Sequence, residues 1–286
     1  MVHPAGGSRP DGSSTVKGRT ADHWSANPIA SRHGEFHPVH EEFSRGWFEE
    51  HSRFRYEVFG PWMQEVAGFS RHRGELMLEV GCGMGTDLLE FARGGARVVG
   101  LDLTPRHLDL ARKRFEFFGQ PARFTRGDAE HLPFPDGTFD FVYSNGVLHH
   151  TPDTGHALRE VHRVLKPGGK CVIILYHRNS LHYRTQICGI WAAKAMVKHL
   201  LGRGGRLRDF RLATHVAEMT DGAGNPLTQV FSAREGRALC AGFTAVRTRV
   251  VHLRREETTV ARWIPEQLRR RLEPRWGWYL VIEATR

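Results

Sequence analysis

Leu76-Met-Leu-Glu79-Val-Gly81-Cys-Gly83-Met-Gly85-Thr86 is the stretch that decides the architecture. Leu76–Val80 reads as a short apolar strand, and it runs straight into three glycines at alternate positions. Thr86–Arg93 then reads as a helix. Glycines let the backbone turn tightly and let a ligand approach main-chain N–H groups. In a parallel sheet this turn lies in the crevice beyond the carboxyl ends of the strands, where ligands bind. The spacing narrows the ligand. A dinucleotide site of the form G-x-G-x-x-G needs glycine at position 86, which is Thr86. Here the pattern is E-x-G-x-G-x-G, with the carboxylate of Glu79 leading in and no phosphate to cradle. That suits a cationic, phosphate-free ligand better than NAD.

Outward from the loop, strands and helices alternate. Arg97–Leu101 is a strand, closed by Asp102-Leu103. Thr104 is the expected N-cap of a helix that starts at Pro105 and reaches Phe118. An acid such as Asp102, roughly twenty residues past the loop, can accept hydrogen bonds from both hydroxyls of a ribose. Ala122–Thr125 and Phe139–Ser144 are the third and fourth strands. His156–Leu165 is a helix closed by a Pro167-Gly168-Gly169 turn, and Lys170–Tyr176 is the fifth strand. Such alternation predicts a parallel sheet with helices on both faces.

The flanks are less regular. Met1–Thr20 is Gly/Ser/Pro-rich and reads as a disordered tail. Over residues 21–73, Phe43, Trp47, Phe48, Phe54, Tyr56, Phe59 and Trp62 recur at nearly helical spacing, and Pro61 is placed to open a second helix. This segment, with Arg55 and Tyr56, is expected to be a helical lid. The main domain is then 74–286, with a helical insertion at about 180–215 made of Leu181–Leu201 and a Gly202–Arg211 linker. Ser232-Ala-Arg-Glu235 fits a capping box. Thr244–His252 and Trp278–Thr285 are strands around a polar, arginine-rich helix, Glu266–Leu272.

With 40% apolar and 25% charged residues the chain can bury a core. No run approaches the roughly 18 apolar residues of a membrane span, and the first twenty residues hold no signal-like apolar stretch, so a cytoplasmic protein is expected. Cys82, Cys171, Cys188 and Cys240 are scattered, which argues for reduced thiols and against a metal site. The formal charge of +10 is supplied mostly by arginine. No basic run is interleaved with base-stacking aromatics, so nucleic acid is disfavoured as a partner. Lys194 and Lys198 make the 181–201 helix cationic and amphipathic, as a membrane-surface helix is. A helix that covers a site explains it as well.

Six blocks in order resemble the class I S-adenosylmethionine (SAM)-dependent methyltransferases, in particular their small-molecule branch of ubiquinone/menaquinone type. They are Glu79–Gly85, Val99–Asp102, Gly127–Phe134, Phe139–Ser144, Val147–His150 and Arg163–Gly169. The resemblance implies a Rossmann-like sheet of seven strands, mostly parallel, with the last one antiparallel. It implies SAM as cofactor, with Glu79, Gly81, Gly83 and Gly85 on the methionine end and Asp102, with Leu103 beside it, on the ribose. Asp128 and Ala129 would contact the adenine, and Asn145 and Gly146 the methionine side. The expected function is methyl transfer to a small-molecule acceptor, secondary-metabolite or lipid-like. An RNA or protein methyltransferase, or a non-catalytic SAM-binding partner protein, is the alternative. The run Ser144-Asn-Gly-Val-Leu148 is not the N-P-P-Y type found in amino-group methyltransferases that act on DNA or protein glutamine.

Methyl transfer from a sulfonium asks the protein mainly to place the acceptor and exclude water. A base is needed only where the acceptor must lose a proton. His150, then His149, then Tyr176 are the candidates near the ends of the fourth and fifth strands, with His177 beside them. Each also has a purely structural reading, as a loop tie or a core side chain.

Overall fold

A computed structural model describes residues 12–28, 36–200, 212–222, 224–255, 258 and 260–286. Its centre is a seven-stranded sheet. The strands are β1 (Leu76–Val80), β2 (Arg97–Asp102), β3 (Arg123–Arg126), β4 (Phe139–Asn145), β5 (Leu165–Tyr176), β6 (Ala245–Val251) and β7 (Tyr279–Thr285), in the order β3-β2-β1-β4-β5-β7-β6. β1 pairs in parallel with β2 and β4, with Glu79 opposite Gly100 on one side and Tyr143 on the other. β7 runs antiparallel to both β5 and β6. Sequence order reverses at β1 and β4, so a crevice opens above their carboxyl ends.

Alternation along the strands sorts the core into two layers. Met77, Phe141, Tyr143, Val172 and Ile174 face α4 (Thr86–Arg93) and α5 (Pro105–Phe118). Leu78, Val80, Val142, Ile173 and Leu175 face α6 (Thr154–Val164). The central strands are buried on both faces, which is why they read as continuous apolar runs.

Several expectations need correction. Residues 12–20 are not tail: they form the first part of α1 (Gly12–Ala26), while 1–11 lie outside the described residues. Gly12, Ser13, Ser14, Thr15 and Gly18 are poor helix formers. Burial of Thr20 and His23 against the body compensates for them. The aromatic segment makes α2 (Arg45–Arg53), a π-helical stretch Phe54–Phe59 and α3 (Trp62–Ala67), with Pro61 as N-cap. Pro167-Gly168-Gly169 does not end before β5 but bulges within it: Phe139 pairs with Leu165 and Phe141 with Lys170. The insertion after β5 holds a π-helical stretch Tyr183–Gly189, α7 (Ile190–Leu200) and α8 (Leu212–Asp221). The 202–211 linker lies outside the described residues. Ser232 and Glu235 form the full capping box of α9 (Ala233–Leu239), and α10 is Glu266–Trp276. Among the described residues no helix is long and apolar enough to cross a membrane.

Candidate functional site

Gly81, Gly83 and Gly85 all adopt left-handed backbone, at φ of 74°, 52° and 74°. A Cβ on Gly81 would stand 2.3 Å from Val147 Cγ2, so this glycine lets the turn after β4 lie on the loop. A Cβ on Gly83 or Gly146 would meet nothing within 4 Å and would enter open space. That space is a cavity partly open to solvent. Gly81, Gly83, Asp102, Leu103, Asp128 and Ala129 line it, as do Gly146 and His150.

Asp102 is held by its neighbours. Its Oδ2 accepts from Gly83 N at 2.9 Å, its Oδ1 accepts from Thr104 N at 2.9 Å, and His107 Nδ1 lies 3.3 Å from Oδ1. The Thr104 side chain makes no capping bond, so the expected division of labour is reversed. Asp102 satisfies the start of α5, and it keeps lone pairs to spare because a carboxylate can accept about four bonds.

At the other end Asp128 Oδ1 accepts from Glu130 N, and α1 contributes Lys17, whose ammonium lies 2.7 Å from Asp128 Oδ2 and 2.5 Å from Glu130 Oε2. Burial works against the Asp128 carboxylate, but the bonds from Lys17, Glu130 N and His131 together with the Lys17 charge outweigh it and hold the group below its ordinary range. Asp128, Glu130 and His131 bring one potential ligand atom each within 4.8 Å of one another. Lys17 bonds to both carboxylates there. Thr20 and Trp24 of α1 also line the cavity, and the Trp24 ring meets His150 edge-on with centroids 5.3 Å apart.

Three of the expected cofactor residues lie outside the cavity lining. Gly85 brings α4 against α5, since a Cβ there would lie 3.2 Å from Ala111 Cβ. Asn145 donates to Asp87 Oδ2 at 3.3 Å. Glu79 is buried, and its Oε2 has no hydrogen-bond partner among the described residues. Burial, then the nearby Asp87 charge, pushes Glu79 well above the usual carboxylate range.

Asp87 was not singled out from the sequence, yet it is the hub beneath the loop. Arg55 grips it with Nε at 2.7 Å and Nη2 at 2.6 Å, and the hydroxyls of Tyr56 and Tyr143 donate to it at 2.6 and 3.2 Å. Burial raises Asp87, but Arg55 and the bonds from Tyr56 and Asn145 together outweigh it and keep it below its ordinary value. This pair fastens the aromatic N-terminal segment to the first turn of α4.

The structure brings His149, His150 and Tyr176 together. His149 is fully buried, its ring 4.0 Å from Tyr176 and 4.2 Å from His150 between centroids. Neither His149 nitrogen has a partner among the described residues, and burial, then His150, drives its basicity well below that of an ordinary histidine. His150 lines the cavity, with Nδ1 2.8 Å from the carbonyl of Leu227. Tyr176 donates to Asp221 at 2.7 Å. His177 is turned to the carbonyl of Gly277, at 3.1 Å, and takes no place in the group. Lys17, Trp24, Asp87 and Asp221 were missed because they meet the site through contacts of long sequence separation. The only local signal was the acid at Asp87, in the first turn of the helix after the glycines.

The open space above Gly83 and Gly146, the ribose-type acid at Asp102 and the unpartnered buried acceptor on Glu79 fit a nucleoside that carries an amine. The chain is similar to known proteins in the same sense. Residues 78–173 match a family described as a methyltransferase domain. The 27-O-demethylrifamycin SV methyltransferase of Amycolatopsis mediterranei (strain S699) is 31% identical over 137 residues, covering 46% of this chain and 50% of that protein. Demethylmenaquinone methyltransferase of Tropheryma whipplei (strain Twist) is 42% identical over 101 residues, covering 35% and 41%. Sterol 4-C-methyltransferase strm-1 of Caenorhabditis elegans is 29% identical over 127 residues, covering 40% and 38%. The chain thus spans half or less of the length of these curated relatives. A SAM-dependent methyltransferase structure from Thermotoga maritima aligns over 83% of this chain and 94% of its own, with TM-score 0.52 and 20% identity. At that identity the likeness speaks for the fold. Sheet order, glycine loop and family match agree that residues 78–173 form a class I SAM-dependent methyltransferase domain, with SAM as its cofactor.

Proposed function

We propose that the chain transfers a methyl group from SAM to a small-molecule acceptor of the secondary-metabolite or lipid-like kind. The observation that carries this is the single cavity that runs from the glycine loop and Asp102 to His150. A cofactor held at one end would present its reactive group to an acceptor at the other. When bound, SAM supplies an electrophilic methyl: the acceptor's electron pair bonds to the methyl carbon, sulfur keeps the pair of the broken S–C bond, and S-adenosylhomocysteine leaves. Asp102 and Leu103 would hold the ribose, Asp128 and Ala129 the adenine, and Gly81, Gly83 and the Glu79 carboxylate the methionine end. Asn145 and Gly85 would act indirectly, through Asp87 and through packing of α4 on α5.

The chain's own task is orientation, exclusion of water and, for an acceptor with an acidic hydrogen, removal of a proton. His150 is placed for that removal. A carbonyl oxygen only accepts, so the bond to Leu227 fixes the hydrogen on Nδ1 and puts the ring's lone pair on Nε2, which is buried beside Asp221. His149, fully enclosed, packs behind His150 and is not part of the cavity lining. α1 closes the adenosine end, so the lid begins earlier than residue 21. A small acceptor agrees with the relatives named for rifamycin, menaquinone and sterol substrates.

Calorimetry should show SAM and S-adenosylhomocysteine binding and NAD failing to bind. Incubation with methyl-labelled SAM and a size-fractionated extract should then put label into the small-molecule fraction. Label in the RNA or protein fraction would overturn the acceptor class, and SAM binding without any transfer would favour a non-catalytic role.

A further inference from the structure

Asp221 stands at the end of α8, in the insertion whose purpose the family likeness leaves open. Its side chain is only 8% exposed. Oδ1 accepts from the Tyr176 hydroxyl at 2.7 Å. Oδ2 accepts from Thr220 and Thr228 hydroxyls at 2.6 and 3.0 Å and from Asn225 Nδ2 at 3.3 Å. His150 Nε2 stands 3.8 Å from the same oxygen. That nitrogen is buried and has no hydrogen-bond partner among the described residues. With the Nδ1 hydrogen committed to Leu227, the neutral ring points a lone pair toward a carboxylate. Two acceptors facing each other in a buried place mark a position for a proton.

We propose that Asp221 is the positioning residue of the acceptor side: it orients Tyr176 and stabilises the imidazolium that forms when His150 Nε2 takes the acceptor's proton. The inference rests on the reading of His150 as the base. The proton leaves the acceptor's O–H or N–H and ends on Nε2, and the positive charge it brings is matched by the Asp221 carboxylate. At 3.8 Å in a desolvated setting such a pair interacts far more strongly than in water. The acceptor class this implies is one with an ionisable O–H or N–H, since a carbon acceptor of alkene type has no proton to give before transfer. The other titratable groups around His150 are His149 on its own turn, Tyr176 on β5 and His23 on α1, whose Nε2 lies 3.3 Å from the Asp221 carbonyl oxygen. None of the three carries a negative charge at neutral pH, so Asp221 is the counter-charge.

The test needs no acceptor. The full chain, labelled with ¹⁵N-histidine and saturated with S-adenosylhomocysteine, reports hydrogen on each ring nitrogen through long-range ¹H–¹⁵N spectra. His150 is assigned by the signal lost in His150→Gln. In the parent at high pH the neutral ring should carry hydrogen on Nδ1 and none on Nε2. Asp221→Asn keeps the shape and an acceptor for Tyr176 but removes the charge. It should lower the doubly protonated share of His150 at pH 7 at least about tenfold. Tyr176→Phe takes a donor away from Asp221, concentrates charge on the carboxylate and should raise that share. A role in packing alone does not predict opposite signs. Hydrogen on Nε2 in the neutral parent, or an unchanged share in either variant, overturns the proposal. If S-adenosylhomocysteine fails to bind, the methyltransferase reading fails instead, and the same spectra on the free chain still decide Asp221.

Discussion

Lys17 Nζ lies 2.7 Å from Asp128 Oδ2, so a residue of the first helix is bonded to the loop expected to hold the adenine. Lys17 is about one-fifth exposed and pairs with Glu130 as well. Exposed ion pairs contribute up to about 1 kcal/mol, and a partly enclosed pair to two carboxylates lies at the upper end. Lys17→Met should therefore speed release of S-adenosylhomocysteine roughly two- to tenfold, read by stopped-flow fluorescence. Deleting residues 1–20 should do at least as much, against the sequence expectation of a dispensable tail. Release at the parent rate in both would show that α1 does not guard the site.

Asp102→Ala removes hydrogen bonds to Gly83 and Thr104 together with any bond to ligand. The loss of one charged hydrogen bond, roughly 1.5–3 kcal/mol, corresponds to about a ten- to hundredfold drop in SAM affinity. Because the loop and the start of α5 also lose their acceptor, the melting temperature should fall as well. Calorimetry and thermal unfolding on the same sample separate the two effects. Parent affinity in a destabilised variant would leave Asp102 as a structural acceptor only.

Arg55 and Asp87 form a buried, two-pronged pair. Removing one partner of such a pair strands the other, at a cost of about 3–5 kcal/mol. Arg55→Met alone should lower stability by that order, and Arg55→Met with Asp87→Leu should lower it less. Urea unfolding of both singles and the double gives the coupling. An additive double variant would refute a fastening role.

His149 provides a pH dependence with a definite sign. Its folded-state basicity is depressed by burial and by His150, while in the unfolded chain it titrates near pH 6.5. Above that pH neither state binds the proton and there is no effect. Below it the unfolded state gains a proton that the folded state refuses, so stability falls as pH falls. One unit below, at pH 5.5, the loss is about 1.4 kcal/mol. The difference in unfolding free energy between the parent and His149→Phe should change by that amount from pH 7.5 to 5.5. A constant difference would mean that His149 is protonated in place.

Apart from the start of β5, which lies at Leu165 and not Lys170, the strands and helices from Leu76 to Tyr176 were legible within a residue or two, because apolar runs and glycine turns are local signals. Asp102 and His150, which line the cavity, stood out because each ends a strand or sits in the turn after one, whereas Asp128, which lines it too, was expected only from the family resemblance. Asn145 was misplaced, since its position after β4 does not say that the side chain turns to Asp87. α1 was missed because Gly12-Ser-Ser-Thr15 carries no helical preference, and its order comes from Lys17, His23 and Trp24 docking far along the chain. Asp221 had no signal at all: an acid at the end of a helix in an insertion is ordinary until Tyr176 and His150 are brought to it.

The separation between α1 and what it docks on bears on the timing of synthesis. His23 meets the Asp221 carbonyl across 198 positions of chain. At about 5–20 residues per second, ribosomal synthesis of that interval takes roughly 10–40 s. Through that time α1 has emerged without the surface that buries Thr20 and His23, and its weak local preference leaves it uncoiled. The glycine loop, Asp102 and Asp128 are complete much earlier. A nascent chain would therefore pass through a stage with an open nucleoside crevice, with partners for Lys17 and Trp24 made first and the His23 contact completed only when the insertion has left the ribosome.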